Sequence, residues 1–342
     1  MSRALPLNSA ALRKLRHTLL DWYDQNHREL PWRQSGDPYR VWVSEIMLQQ
    51  TRVAAVLDHY ARFLRRFPTV SALAAARESS VLAAWSGLGY YHRARRMHQA
   101  AKVIMREHRG EFPRTAESWR ELPGIGRYTA AAVASIAFGE AVALVDGNVE
   151  RVLGRVFGRD AGSKNVWQRA EELLDRTRPG DFNQAMMELG ATICTPRAPH
   201  CAHCPLNAWC KSRCPDDQRP QMPRKRKQLC YALARKGRAV LLVQRPETAS
   251  LMAGMWELPA IPTTRRNGSV PALRLRHSIT DTNYDVTVMA TSPEDVHILR
   301  NEARWFVLKR WERLPLTGLT RKVLRRLQVE SGGGSKESNR KR

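Results

Sequence analysis

The chain has 342 residues, and its 57 lysines and arginines against 32 aspartates and glutamates leave a net charge of +25. That excess on a globular composition points to a polyanionic partner, nucleic acid before membrane. No stretch reaches the roughly 18 apolar residues of a spanning helix and no secretory run opens the chain, so a cytosolic protein is expected, long enough for two domains.

Residues 8–215 read as helical almost throughout. Leu12, Leu15, Leu19 and Trp22 recur at helical spacing, and Ile46, Val53, Leu57, Tyr60 and Leu64 do so in a helix expected to begin near Tyr39. Prolines 31, 38, 68, 113, 123 and 179 punctuate the connections.

A short helix from about Ala116 is stopped by Pro123, where Leu122-Pro123-Gly124-Ile125-Gly126-Arg127-Tyr128 forms a turn. Its two glycines allow a backbone path that side chains would block. A second helix starts near Arg127, so its free N–H groups and positive dipole end suit a phosphodiester, with Arg127 and Arg120 as counter-charges. One helix later comes Val145-Asp146-Gly147-Asn148, in which Asp146 also suits the N-cap of a helix over Val149–Val156.

Six cysteines in a cytosolic chain suggest metal or redox chemistry before disulfides. Cys194, Cys201, Cys204 and Cys210 follow the spacing C-x6-C-x2-C-x5-C in a loop stiffened by Pro196, Pro199 and Pro205. Zinc and a 4Fe–4S cluster both accept four sulfurs, and a single close pair favours the cluster. Cys214 reads as a fifth, non-ligating thiol, Cys230 as core, and His200 and His203 as surface groups. The loop would then present Arg197 and Lys211 to phosphates.

Residues 216–227, with two prolines and the run Arg224-Lys225-Arg226-Lys227, read as a basic linker. Beyond it the pattern turns to strands, at Tyr231–Ala234 and Ala239–Val243 around a turn at Lys236-Gly237, and again at Tyr284–Met289. A closing helix over about Arg321–Val329 ends a second domain, 228–330. The tail, 331–342, is Gly/Ser-rich and basic, and disorder is expected.

Together these features resemble the helix-hairpin-helix DNA glycosylases, and within them the adenine-DNA glycosylase family. The resemblance covers roughly residues 10–330. It also rests on Leu30-Pro31-Trp32-Arg33, Val43-Ser44-Glu45-Ile46-Met47-Leu48-Gln49-Gln50-Thr51, Gly87-Leu88-Gly89-Tyr90-Tyr91 and Met187-Glu188-Leu189-Gly190. The implied fold is mainly α: a helix-hairpin-helix glycosylase domain over 1–215 with an iron–sulfur cluster loop, then a smaller α+β pyrophosphatase-like (Nudix-like) domain. The implied substrate is adenine mispaired with 8-oxoguanine in duplex DNA. The family's lyase relatives place a Schiff-base lysine where this chain has Tyr128, so a monofunctional enzyme is implied. A mismatch thymine or uracil glycosylase and a non-catalytic binder of distorted DNA are the alternatives.

The chemistry parallels glycoside hydrolysis, with one carboxyl donating a proton and another stabilising a cationic sugar. Glu45 is the candidate donor to a ring nitrogen of adenine, which requires burial among neighbours such as Ile46, Leu48 and Trp32 to raise its pKa. Asp146 is the candidate stabiliser, electrostatically or through a transient covalent adduct as the resemblance implies, oriented by Asn148 and, in this reading, by Tyr128. The resemblance assigns Gln50 and Tyr90 to the gap left by the flipped base. It places Arg28, Leu48 and Glu188 at the adenine pocket, and Arg33 with Gly124, Gly126 and Arg127 among the DNA contacts. In the second domain Gln244-Arg245-Pro246 and Gly254-Met255-Trp256-Glu257-Leu258-Pro259 match, but only 17 residues separate Pro259 from His277, so the module looks trimmed. The family's Phe-Ser-His lesion-reading loop aligns with Ile279-Thr280-Asp281, and Ser278 or Thr280 is the substitute donor, since an ionised aspartate has no proton to donate. The glutamate-rich metal box of pyrophosphatases is lacking, so hydrolysis of free oxidised nucleotides is not expected. A monomer in a bacterial-type cytoplasm, associated with the nucleoid, completes the expectation.

Overall fold

Asn8 opens the first helix by accepting from the Ala11 N–H at 2.8 Å, which satisfies one of the unpaired donors of the first turn. The computed structural model describes residues 8–158, 166–212, 225–249, 251–262, 271–279, 282–292, 303–307, 311 and 314–332. Among them the helices are α1 (Ser9–Asn26), α2 (Pro38–Leu48), α3 (Val53–Arg66), α4 (Val70–Ala75), α5 (Glu78–Trp85), α6 (His92–Glu107), α7 (Ala116–Arg120), α8 (Arg127–Phe138), α9 (Gly147–Phe157), α10 (Val166–Leu173), α11 (Pro179–Thr192) and α12 (Gly318–Gly332). None is long and apolar enough to cross a membrane.

The single helix expected from Tyr39 through Leu64 is two. Gln49 leaves helical geometry and Gln50 takes φ 53, in the left-handed region. The turn is closed by the Thr51 N–H on the Leu48 carbonyl at 3.1 Å. The break resets the helical phase, so α3 buries Val56, Tyr60 and Phe63, while Leu57, expected inside, is 37% exposed.

The chain forms two units, Met1–Ala75 with Arg96–Pro220, and Ala76–Arg95 with Gln221–Arg342. In the first unit Leu15 and Leu19 of α1 pack with Leu144, Val152, Leu153, Phe182 and Leu189. Each fully buried side chain of this kind contributes roughly 1.5–3 kcal/mol. The small residues Ala130–Ala134 of α8 are buried, and α8 packs against α2, α7 and α11.

The second unit draws residues 76–95 away from a contiguous 1–215 helical block. Ser86 Oγ donates to the Leu316 carbonyl at 2.7 Å, Tyr91 Oη to the same carbonyl at 3.3 Å, and Arg95 Nη2 to the Ala253 carbonyl at 2.6 Å. These are buried or half-buried bonds between segments far apart in sequence, which local pattern cannot reveal.

The strands of this unit are β1 (Lys225–Lys236), β2 (Ala239–Gln244), β3 (Trp256–Glu257), β4 (Ala260–Ile261), β5 (Pro271–Ile279), β6 (Thr282–Thr291) and β7 (Ala303–Val307). They form a mixed sheet ordered β3-β2-β1-β6-β5, with β4 on β1 and β7 on β2. Among the described strands β1 and β6 pair in parallel, from Lys225 on Thr282 to Ala234 on Thr291. The expected linker therefore ends early: Lys225, Arg226 and Lys227 are strand, their backbone paired with β6 while their side chains stay exposed. On one face Val323, Leu324 and Leu327 of α12 pack with Trp256, Val286 and Val288. This helix runs further than expected, through Ser331 and Gly332; the rest of the tail lies outside the described residues, as do Cys214 and residues 216–224.

Candidate active site

Five segments of the first unit converge on one cleft of about 580 Å³, lined by Arg28, Trp32 and Arg33 before α2, Glu45 and Leu48 of α2, Tyr128 of α8, Asp146 to Asn148 at the start of α9, and Met187 and Glu188 of α11. Gln50 lines it too, on the turn after α2. Both candidate carboxylates thus open into the same space, of a size suited to a nucleobase-sized ligand.

Glu45 is only 5% exposed. Burial pushes its carboxyl up to about 7, the Asp146 charge pushes the same way, and the Tyr128 hydroxyl and Arg33 oppose them. Trp32 and Leu48 supply cleft-lining apolar neighbours, whereas Ile46 is buried outside the lining. Tyr128 was expected to orient Asp146; instead its Oη donates to Glu45 Oε2 at 2.6 Å, with Met187 Sδ at 3.3 Å. The reason is packing: α8 lies against α2, which puts the phenol over the glutamate. Burial holds that phenol well above its usual pKa, so it is a neutral donor.

Asp146 is the N-cap of α9. Its Oδ1 accepts the N–H groups of Asn148 at 2.9 Å and Val149 at 2.7 Å, and its Oδ2 accepts from Asn148 Nδ2 at 2.9 Å. Capping and facing the cleft are therefore one geometry, with the carboxylate fixed by three donors. The preceding segment is tied down by buried Asn183, whose Nδ2 donates to the Val142 carbonyl at 2.9 Å.

Sequence reasoning missed Arg151. Its Nη2 donates to Asn148 Oδ1 at 2.8 Å and to the Gly190 carbonyl at 2.6 Å, and its Nε to the Cys194 carbonyl at 2.8 Å. The signal was its position three residues after Asn148 on one helix face. Gly190 is equally specific: a Cβ there would lie 2.6 Å from Asn148 Cβ, so α11 reaches the site only because this residue has no side chain.

Glu188 is fully buried and accepts from Arg28 Nε at 2.6 Å, Arg28 Nη2 at 2.8 Å and Arg33 Nη2 at 2.8 Å. Burial alone would raise its pKa, but the two guanidiniums outweigh it and hold the carboxyl below its ordinary value. Glu188 is thus the anchor of a cationic rim, unlike Glu45, which has no such pair.

The hairpin separates its two glycines. Gly124 has φ 79, and a Cβ there would lie 2.5 Å from Arg96 Cβ. Gly126, expected to need similar freedom, has φ −90, and a Cβ there would meet open space. It caps α8 without a side-chain hydrogen bond, which leaves its face open to an anion. Gly124→Ala is expected to cost about 1–3 kcal/mol in unfolding experiments, and Gly126→Ala less than about 0.5 kcal/mol. Arg120 and Arg127 are exposed, and Arg127 lies over the Trp167 ring at 3.7 Å.

Cys194, Cys201, Cys204 and Cys210 line one small cavity with Arg155, whose Nη1 is 3.3 Å from Cys194 Sγ. Among the described residues no three His, Cys, Asp or Glu side chains close to the spacing of a single metal ion. His200 and His203 are exposed. Tyr90 belongs to the second unit, is 37% exposed and has φ 46. Ser278 sits near the end of β5 with its hydroxyl 2.7 Å from Asn283 Oδ1. Thr280 and Asp281 lie outside the described residues.

An anion-receptive hairpin beside a cleft with one protonatable and one capped carboxylate suits a base-excision DNA glycosylase of the helix-hairpin-helix class. The HhH-GPD superfamily of base excision DNA repair proteins matches residues 43–176. The adenine DNA glycosylase of Mus musculus is 36% identical over 412 residues, covering 95% of this chain and 80% of the mouse protein. That of Mycobacterium tuberculosis (strain ATCC 25618 / H37Rv) is 48% identical over 202 residues, 57% of this chain and 66% of its own. A solved thermostable thymine-DNA glycosylase superposes with TM-score 0.55 at 31% identity, over 59% of this chain and 98% of its own. The chain belongs to the adenine DNA glycosylase family, and is a base-excision repair enzyme that removes adenine from DNA.

Proposed function

We propose that the substrate is adenine opposite 8-oxoguanine or guanine, and that the enzyme is monofunctional, releasing adenine without cutting the strand. The observation that carries the mechanism is the pairing of Glu45, buried and held by Tyr128, with Asp146 in one cleft.

With Tyr128 on Oε2, Glu45 carries its proton on Oε1 and passes it to a ring nitrogen of the extruded adenine. The C1′–N9 bond breaks with its electron pair going to the base, and Asp146 faces the cationic sugar. Water adds at C1′ and returns a proton to Glu45, leaving an abasic site. Extrusion costs a few kcal/mol, least at a mismatch, which contributes to selection. Gln50 and Tyr90 fill the vacated space. Both hold left-handed backbone as non-glycine residues, a strain that clusters at functional sites. No amine stands at position 128 to form an imine with the sugar, and a phenol forms none.

The four thiols fit a 4Fe–4S cluster. They line one cavity together, and four thiolates from one loop are the ligand set such a cluster takes. Cys194, Cys201, Cys204 and Cys210 would hold it, and the 194–210 loop would thereby be tied together with exposed Arg197 and Lys211 beside the phosphates. In the second unit the mixed sheet and α12 suit a trimmed Nudix-like module that reads the lesion near the β5–β6 hairpin. Since Ser278 is engaged by Asn283, recognition there requires that pair to open.

Duplexes holding adenine opposite 8-oxoguanine, adenine opposite guanine, thymine opposite guanine, and thymine glycol test this reading together. Breaks only after alkali, and only in the adenine strands, are expected. Breaks without alkali would contradict monofunctional chemistry, and breaks at thymine would contradict the substrate assignment.

A further inference from the structure

The Tyr90 turn is built on a buried cation. Arg93, one turn into the same segment, is 5% exposed. Its guanidinium lies 5.4 Å from the ring centroids of both Trp85 and Tyr90. Its Nη2 also reaches the carbonyls of Leu88 at 3.4 Å and Gly89 at 3.3 Å, and Trp85 Nε1 donates to the Gly89 carbonyl at 3.1 Å. The Arg93 N–H closes the turn on the Tyr90 carbonyl at 2.9 Å. Tyr90 itself is half-exposed on left-handed backbone. A bulky residue keeps such a backbone only when its surroundings over-determine it. A desolvated cation between two aromatic faces is among the stronger ways to do so.

We infer that Arg93 is a positioning residue that holds the Tyr90 ring ready for insertion into the DNA stack before DNA arrives. The inference rests on the reading of Tyr90 as a residue that fills the gap left by the extruded base. The residue stays part-exposed while the guanidinium holds the ring, so little ring freedom is lost on insertion. The base of the turn is braced separately, by Ser86 and Tyr91 on the Leu316 carbonyl. Arg93 therefore ties the ring to the turn, through the Tyr90 face and the Leu88 and Gly89 carbonyls together.

The test replaces the target adenine by 2-aminopurine opposite 8-oxoguanine and follows extrusion by stopped-flow fluorescence, in the wild type, Arg93→Met, Tyr90→Ala and the double variant. Arg93→Met is expected to slow extrusion about tenfold, with affinity for undamaged duplex unchanged and the thermal midpoint lowered by the loss of its bonds to the Leu88 and Gly89 carbonyls. In the Tyr90→Ala background it is expected to add nothing, because both changes remove the same contact. Arg93→Lys, which keeps a cation in place, supplies the same cycle should the methionine variant unfold: slower than wild type alone, and indistinguishable from Tyr90→Ala when combined with it. If Tyr90→Ala extrudes at the wild-type rate, the reading of Tyr90 fails. If Tyr90→Ala is slow but the Arg93 variants are not, or if they slow both backgrounds equally, that reading stands and the Arg93 assignment is overturned.

Discussion

Asp146→Asn is expected to lower single-turnover adenine release on the order of 10³-fold, the loss typical when a developing charge loses its stabilising partner. Fold and duplex affinity should survive. Asparagine is also a good N-cap, and its carbonyl oxygen can accept the Asn148 and Val149 N–H groups that Asp146 Oδ1 now accepts. What it cannot supply is the negative charge. Its amide would also meet the Asn148 side-chain amide, which now donates to Oδ2. The check is a rate measured at saturating enzyme beside a binding isotherm on the same duplex. Parallel loss of both would make Asp146 a folding residue.

Glu45→Gln should cost catalysis about 10²–10⁴-fold and yet stabilise the protein at alkaline pH. With its carboxyl pushed up to about 7, native Glu45 holds a proton that the unfolded chain releases near the ordinary value of 4.5. The native state therefore binds more protons across that window. The stability this contributes is complete below about pH 4.5 and is lost as pH rises through 7, a difference of about 3 kcal/mol. Glutamine has no proton to lose, so the variant's thermal midpoint should exceed the wild type's at pH 8 and approach it at low pH. The wild-type rate should fall above pH 7 as the donor ionises. Tyr128→Phe removes the hydroxyl that favours the ionised form, and should move that alkaline fall to higher pH. A wild-type profile flat between pH 6 and 9 would remove Glu45 as the donor.

The hairpin turn and the Asp146 cap were legible because both depend on local spacing. The turn before Arg127 starts a helix where expected, and Asp146 caps one that begins a residue later. What escaped depends on tertiary placement. Tyr128 faces Glu45 because of how α8 meets α2, and nothing in the order of residues says which carboxylate a phenol will find. The break between α2 and α3 carries no proline or glycine, only Gln50 in an unusual backbone state, so periodicity ran through it and placed Leu57 inside. The charges of Lys225 to Lys227 hid the start of β1, since pairing with β6 is a backbone matter. Residues 76–95 joined the second unit through hydrogen bonds to Leu316 and Ala253, carbonyls more than 150 positions away.

At the centre of the account stands a division of labour across an extruded purine, the proton coming from one side chain and the negative charge from the other. The most direct measurement is a crystal structure of Asp146→Asn bound to duplex DNA with adenine opposite 8-oxoguanine. The account predicts the purine inside the cleft, a ring nitrogen within hydrogen-bond reach of Glu45, and C1′ of its sugar facing position 146. A purine bound elsewhere, or a Glu45 carboxyl turned away from it, would contradict the account.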